Sequence, residues 1–244
     1  MSFNLPTETI ELPSKGLLYP EGHPLSDGTI EIKYMTAREE DILTNQNYIS
    51  NGTVLDKLLK SLIITKVNYD DIIIGDKNAI MIAARILGYG AEYKFTYNNV
   101  EEVVDLSKIE NKKLDESLYT KGKNEFSFNF PSSDNEITFK FLTHGDEAKI
   151  NQELEGLKKL KKDESPELTT RLKYMITSIN GNRDTKTIRE FVDQAFLARD
   201  ARAFREYINK IQPDVDLTFF PSSSNKSISL PIGINFFWPD VNLS

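Results

Sequence analysis

Two short segments of this chain alternate so regularly that they restrict what can surround them. In "EFSFNF" the residues Phe126, Phe128 and Phe130 fall on every second position, and in "EITFKFLT" so do Ile137, Phe139 and Phe141. Successive side chains of a strand point to opposite faces, so each set shares one face. Pro131-Ser132-Ser133-Asp134-Asn135 between them reads as a turn, which makes the pair a hairpin. One face of that hairpin is wholly large and apolar and must pack on something.

The neighbouring segments supply further elements. "AEYKFTY" and "EEVVDL" form a second hairpin around Asn98-Asn99, and Thr29 to Met35 alternates as a strand. Thr36 stands three residues before Glu39, the spacing of a capping box, and predicts a helix that ends near Gln46. Val54, Leu55, Leu58, Leu59, Leu62 and Ile63 make one helical stripe. "GDKNAIMIAARILGYG" predicts a helix with Asp76 at its N-cap and Gly88 just past its end. Gly145 to Lys162 reads as a charged helix. Pro166 opens another, with Leu168, Leu172, Met175, Ile176 and Ile179 inward and Gly181 as its stop. "TIREFVDQAFLARDARAFREYINKI" predicts one long helix, or two broken near Asp200. The C-terminal stretch returns to strands, "VDLTFF" and "SISLPIGINFFWP", around "PSSSNK". Residues 1–28, punctuated by Pro and Gly, read as extended.

Strands and helices thus come in blocks, and the expected class is α+β, with β-hairpins at both ends around a central helical region. Four segments follow: 1–35, an N-terminal arm and strand; 36–144, helices with two hairpins; 145–212, helical; and 213–244, a hairpin with an aromatic tail. They are expected to interweave into one domain.

Chemistry is harder to find. There is no Cys among the 244 residues, which removes disulfides, thiolate metal sites and cysteine catalysis. Pro13-Ser14-Lys15-Gly16 has the residue types of a phosphate loop without its spacing, and no dinucleotide fingerprint follows a strand. The two histidines, His23 and His144, read as surface or capping residues. Glu39-Glu40 and Asp70-Asp71 are adjacent pairs, better explained by helix and turn chemistry than by acid–base work. No catalytic residue, cofactor or metal ligand is assigned.

Net charge is −7, unevenly spread: Gly145 to Gln212 holds 14 basic and 12 acidic residues, the remainder 16 and 25. Nucleic acid is a disfavoured partner, because phosphate contacts need concentrated Lys and Arg. The run Lys158 to Lys162 reads as a solvated helix end. No apolar run reaches the roughly 20 residues that span a bilayer, so no membrane role is expected. The first residues lack the pattern of a secretory signal, and cytoplasmic folding is expected.

Two clusters have the residue types of protein interfaces. Arg199, Arg202 and Arg205 lie near Phe196, Phe204 and Tyr207. They form either an amphipathic helix with salt-bridging outside, or a partner-binding helix. Phe236, Phe237 and Trp238 are consecutive, and three successive aromatics of one strand cannot share a face. Either both faces are covered within the chain, or one meets another subunit.

"IELPSKGLLYPEG", then a strand ending in "MTAREEDIL", then a close on "LPIGINFFWPD" resemble the baseplate hub and baseplate-assembly proteins of contractile-tailed bacteriophages of the T-even type. The likeness covers both ends and, more loosely, the helix from Thr53 to Thr65 and "GYGAEYKF"; the middle helical part is not matched. It implies a non-enzymatic structural protein of the virion tail baseplate, made in the host cytoplasm. Its partners would be hub, tail-tube or tape-measure proteins, with oligomerisation left open. A transient assembly chaperone is the alternative. Some relatives carry paired cysteines at hairpin turns, like a zinc ribbon; here Asn98, Asn99, Ser222 and Ser224 stand there, so no zinc is expected. A Pro-bracketed segment has little entropy to lose on docking, which makes Leu17, Leu18 and Tyr19 candidate anchors alongside Phe236 to Trp238. On that view, removing residues 1–20 would abolish partner binding and leave the fold intact.

Overall fold

The computed structural model describes residues 5–160 and 166–237. Strand β1 (Thr7–Glu11) pairs antiparallel with β2 (Thr29–Lys33), Ile10 lying opposite Ile30. Between them the chain is not extended as expected. It steps through tight turns: Lys15 N–H donates to Leu12, Leu17 to Ser14, and His23 to Pro20. Lys15 and Gly16 both take left-handed backbone, at φ 50° and 74°. A Cβ on Gly16 would lie 2.3 Å from the Ser26 carbonyl oxygen, so the two limbs of this loop touch backbone to backbone.

Helix α1 (Ala37–Leu43) opens with the predicted capping box of Thr36 and Glu39. It stops before Gln46, because Asn45 accepts from the N–H groups of Asn47 and Tyr48 and so caps a new helix, α2 (Gln46–Ser50). Helix α3 (Val54–Leu62) buries Leu58, Leu59 and Leu62, as its stripe requires. A single 3-10 turn, Tyr69–Asp71, leads into α4 (Ile74–Tyr89). Two expectations fail there. The N-cap of α4 is Ile73, and Asp76 is the third helical residue, fully buried. Gly88 stays inside the helix; Gly90, at φ 83°, ends it.

Strands β3 (Glu92–Tyr97) and β4 (Val100–Asp105) form the second hairpin. Asn98 and Asn99 at its tip have φ of 49° and 62°, the paired left-handed geometry of a two-residue hairpin loop. The aromatic hairpin is β5 (Phe126–Asn129) with β6 (Glu136–Phe139), Phe126 opposite Phe139. Next come α5 (His144–Leu160) and α6 (Glu167–Met175). The expected helix does not run on to Ile179. Residues Ile176–Ile179 become β7, a third strand beside β6. Ile-Thr-Ser-Ile suits a pleated surface, and the hydroxyls of Thr177 and Ser178 lie 2.8 and 2.7 Å from that of Thr138.

Helices α7 (Thr185–Gln194) and α8 (Ala198–Ile211) break at Ala195–Leu197, three residues before the expected point. They cover the apolar face of the aromatic sheet. Phe130 stacks on Phe191 at 5.9 Å, and Phe204 meets Phe139 edge-on at 4.9 Å. Asp200, buried in the first turn of α8, accepts from Ser132 N–H and Ser133 Oγ and so ties the helix to the β5–β6 turn. The last elements are β8 (Thr218–Phe219), β9 (Ile228–Ser229) and a short helix, α9 (Ile234–Phe237). One contiguous core runs from Leu12 to Phe237. The fold is α+β, with small antiparallel sheets among helices.

Candidate partner-binding surface

The N-terminal segment faces inward. Leu18 and Tyr19 are each 3% exposed and Leu17 is half-buried. Tyr19 donates its hydroxyl to Asp76 Oδ2 at 2.7 Å and accepts from Ile73 N–H at 3.0 Å. Ser14 adds two bonds to the same carboxylate, from its N–H at 2.9 Å and its Oγ at 2.7 Å. Four hydrogen bonds thereby join positions 54 to 62 residues apart. The anchoring role expected of Leu18 and Tyr19 is therefore exercised on the chain's own α4, because Asp76 needs buried donors and this loop carries them.

The aromatic end is corrected in the same way. Residues 234–237 are helical and both Phe236 and Phe237 are buried, at 0% and 1%. A helical turn resolves the problem of adjacent aromatics, since both can reach the core from neighbouring positions. Arg85, itself buried, holds this turn: its Nε donates to Phe236 O at 2.8 Å. Its other nitrogens reach the carbonyls of Gly90 and Glu92. Trp238 lies outside the described residues.

The arginines of α8 point the other way. Arg199, Arg202 and Arg205 are all exposed, while Phe204 on the opposite side is fully buried. Arg202 pairs with Glu206 one turn on, at 2.9 Å. Among the described residues neither Arg199 nor Arg205 forms an ion pair. Only Arg205 of the three borders a groove of about 280 Å³ between α8 and α6. Ile208 of α8 and Leu168, Leu172 and Met175 of α6 give its apolar walls, and Ile74 and Leu142 its floor. Arg171 also reaches it, but its guanidinium is engaged by Glu147 and, at 3.2 Å, by Glu167. The hydrogen bond that Arg171 donates to Glu147 raises its pKa above the ordinary value. Glu147, Asn209 and Gln212 complete a lining that is mostly apolar, and among the described residues Arg205 is its one cation without an ion pair.

The richest titratable cluster lies elsewhere, where α3, the 3-10 turn, α4 and α5 meet. Lys77 Nζ is 2.7 Å from Asp56 Oδ1 and 3.2 Å from His144 Nδ1, and Tyr69 donates to Asp56 at 3.0 Å. Burial, reinforced by Lys77, lowers the His144 pKa from 6.5, so the ring is neutral at pH 7 and its Nδ1 accepts from Lys77. His144 is buried at the start of α5, not on the surface. His23 is half-buried, stacked on Tyr19 at 4.8 Å. The polar groups of this cluster satisfy one another and act as a clasp.

Among the described residues, no three His, Cys, Asp or Glu side chains are grouped to hold a metal. The β3–β4 hairpin and the β8–β9 segment meet through side chains and through the Glu102 carboxylate on the Ser222 backbone. Phe95 packs edge-on against Phe219 at 5.3 Å, and Ser222 Oγ donates to Glu102 at 2.8 Å. No helix among the described residues is long and apolar enough to cross a membrane.

No protein family, curated protein or solved structure matches the chain.

Proposed function

We propose that this chain is a non-enzymatic structural protein of a contractile-tailed phage baseplate hub, docking to neighbouring hub, tail-tube or tape-measure proteins. The observation that carries the docking part is the α8 face: three exposed arginines, one of which, Arg205, borders an open, largely apolar groove, with Arg199 and Arg205 lacking any ion pair among the described residues. Arginine next to an apolar pocket is the make-up of protein-recognition hot spots. The buried carboxylates of Glu39, Asp76, Asp146 and Asp200, by contrast, each meet donors inside the fold and serve its assembly. The baseplate assignment rests on the three sequence segments named above. Two of them, "LPSKGLLYP" and "GINFF", build the core, so the likeness concerns how the fold is made as well as what it does.

The test is quantitative mass spectrometry of purified mature particles. A fixed, small copy number relative to a tail-tube subunit is the expected result. Expression in infected cells with absence from finished particles would replace the structural role with that of a transient assembly factor. Absence from the infected cell's tail intermediates as well would remove the baseplate assignment.

A further inference from the structure

We propose that the groove between α6 and α8 receives an acidic, apolar-anchored segment of a partner protein, with a bulky apolar side chain inside and a carboxylate on Arg205. This deepens the docking reading of the α8 face and does not depend on which assembly the protein joins.

Size decides first. At about 280 Å³ the groove lies at the small end of the roughly 300–1,000 Å³ typical of cofactor and small-molecule sites. It suits one or two side chains of a longer segment that runs on across the surface. Its interior offers such side chains apolar partners: Leu172 and Ile208 line the depth, and Leu168 stands 43% exposed at the mouth. An exposed leucine at the edge of an apolar cleft is surface left to be covered.

Charge decides second. Of the two arginines at the groove, Arg171 is neutralised by Glu147 and Glu167, whereas Arg205 pairs with no described residue. A carboxylate arriving at Arg205 meets an available donor fork, and bidentate pairing there fixes its orientation. A basic segment would instead meet Arg205 as a like charge. The whole chain carries −7, so an acidic partner is not drawn to it in general. Recognition of such a partner must therefore be local, and among the described residues this groove offers an apolar cleft and an open cation together. Arg199 provides the internal control. It lies six residues before Arg205, on a different side of the helix, and does not border the groove.

The experiment uses the full-length protein and a random 12-residue peptide library displayed on yeast. Selected peptides are then titrated by fluorescence anisotropy against wild type, R205E, L168D and R199E, each checked for an unchanged thermal transition. The expected result is that selected peptides carry Asp or Glu within two residues of a bulky apolar side chain. Their binding should fall about tenfold or more in R205E and in L168D, and little in R199E. Failure to select any peptide, selection without acidic residues, or indifference to R205E and L168D would each overturn the proposal. So would self-association in sedimentation that R205E abolishes, since the groove would then hold a second copy. None of these outcomes alters the copy number found in particles, so the baseplate assignment is judged separately.

Discussion

The hydroxyl of Tyr19 lies 2.7 Å from the carboxylate of Asp76, 57 residues further along the chain and fully buried. Burial first, then the Asp76 charge, raises the Tyr19 pKa far above its ordinary value, so the phenol remains a donor at any working pH. Burial also raises Asp76, from 3.8 to about 6, against the pull of its bonds from Tyr19 and Ser14. The folded state then binds more protons than the unfolded state between those two values. Stability should fall as pH climbs from about 4 to about 6, by about 3 kcal/mol for this group. Urea unfolding of wild type and D76N across that range checks it: the variant should lose this component of the slope. An unchanged slope in D76N would mean that the carboxyl titrates normally.

The same bond predicts what the N-terminal segment is for. Tyr19→Phe leaves Asp76 with one donor fewer and removes the acceptor of Ile73 N–H, and should cost about 1–3 kcal/mol. Deleting residues 1–20 removes Leu12, Leu18 and Tyr19 from the core and should abolish cooperative thermal unfolding. A truncated protein with an intact transition would restore the view of this segment as a detachable docking arm.

The local devices were legible in the sequence because their partners are near. Thr36 and Glu39 are three residues apart, Asn98 and Asn99 adjacent, and the alternating phenylalanines state their own face. Asp76 was misread as a cap because an acid near the start of an apolar helix suits either role; what buries it is Ser14 and Tyr19, which no local pattern connects to it. Ile176 and Ile179 fit the helical stripe of Leu172 equally well, and only the free edge of β6 makes them a strand. Four residues of α9 carry too little periodicity to be told from a strand. The exposed arginines of α8 could be picked out from sequence. The groove could not, since Ile74, Leu142, Leu172 and Arg205 come from four parts of the chain.

Glu39 is the capping residue that does more than cap. Its carboxylate is fully buried and accepts from Thr36 N–H and Oγ1, from Lys33 Nζ at 2.7 Å and from Ser61 Oγ at 2.7 Å. Burial would raise its pKa, but the bonds from Lys33, Ser61 and Thr36 outweigh that and hold it at about 2, below the usual 4.5. Its stabilising contribution is complete above about 4.5 and is lost as pH falls toward 2. Glu39→Ala should cost about 3 kcal/mol at pH 7, because it strands a mostly covered ammonium, that of Lys33, and removes a cap. The difference between variant and wild type should shrink in acid-denaturation curves below pH 4; a constant difference would show that the loss is one of packing alone.

The aromatic end gives the sharpest contrast between core and contact. If Phe236 were a docking residue, its removal would spare the fold and weaken partner binding. Its ring instead meets Tyr93 edge-on at 4.8 Å, its carbonyl is held by Arg85 at 2.8 Å, and none of it is exposed. Phe236→Ala should therefore cost about 3–5 kcal/mol, the range for emptying a buried aromatic site. The damage should start at this end, since the bond from Arg85 loses its fixed carbonyl once the turn loosens. Limited proteolysis should then cut the variant after residue 230 well before any other site, while wild type resists. Cleavage at the same rate in both proteins, with an unchanged unfolding midpoint, would return Phe236 to the surface and to a partner.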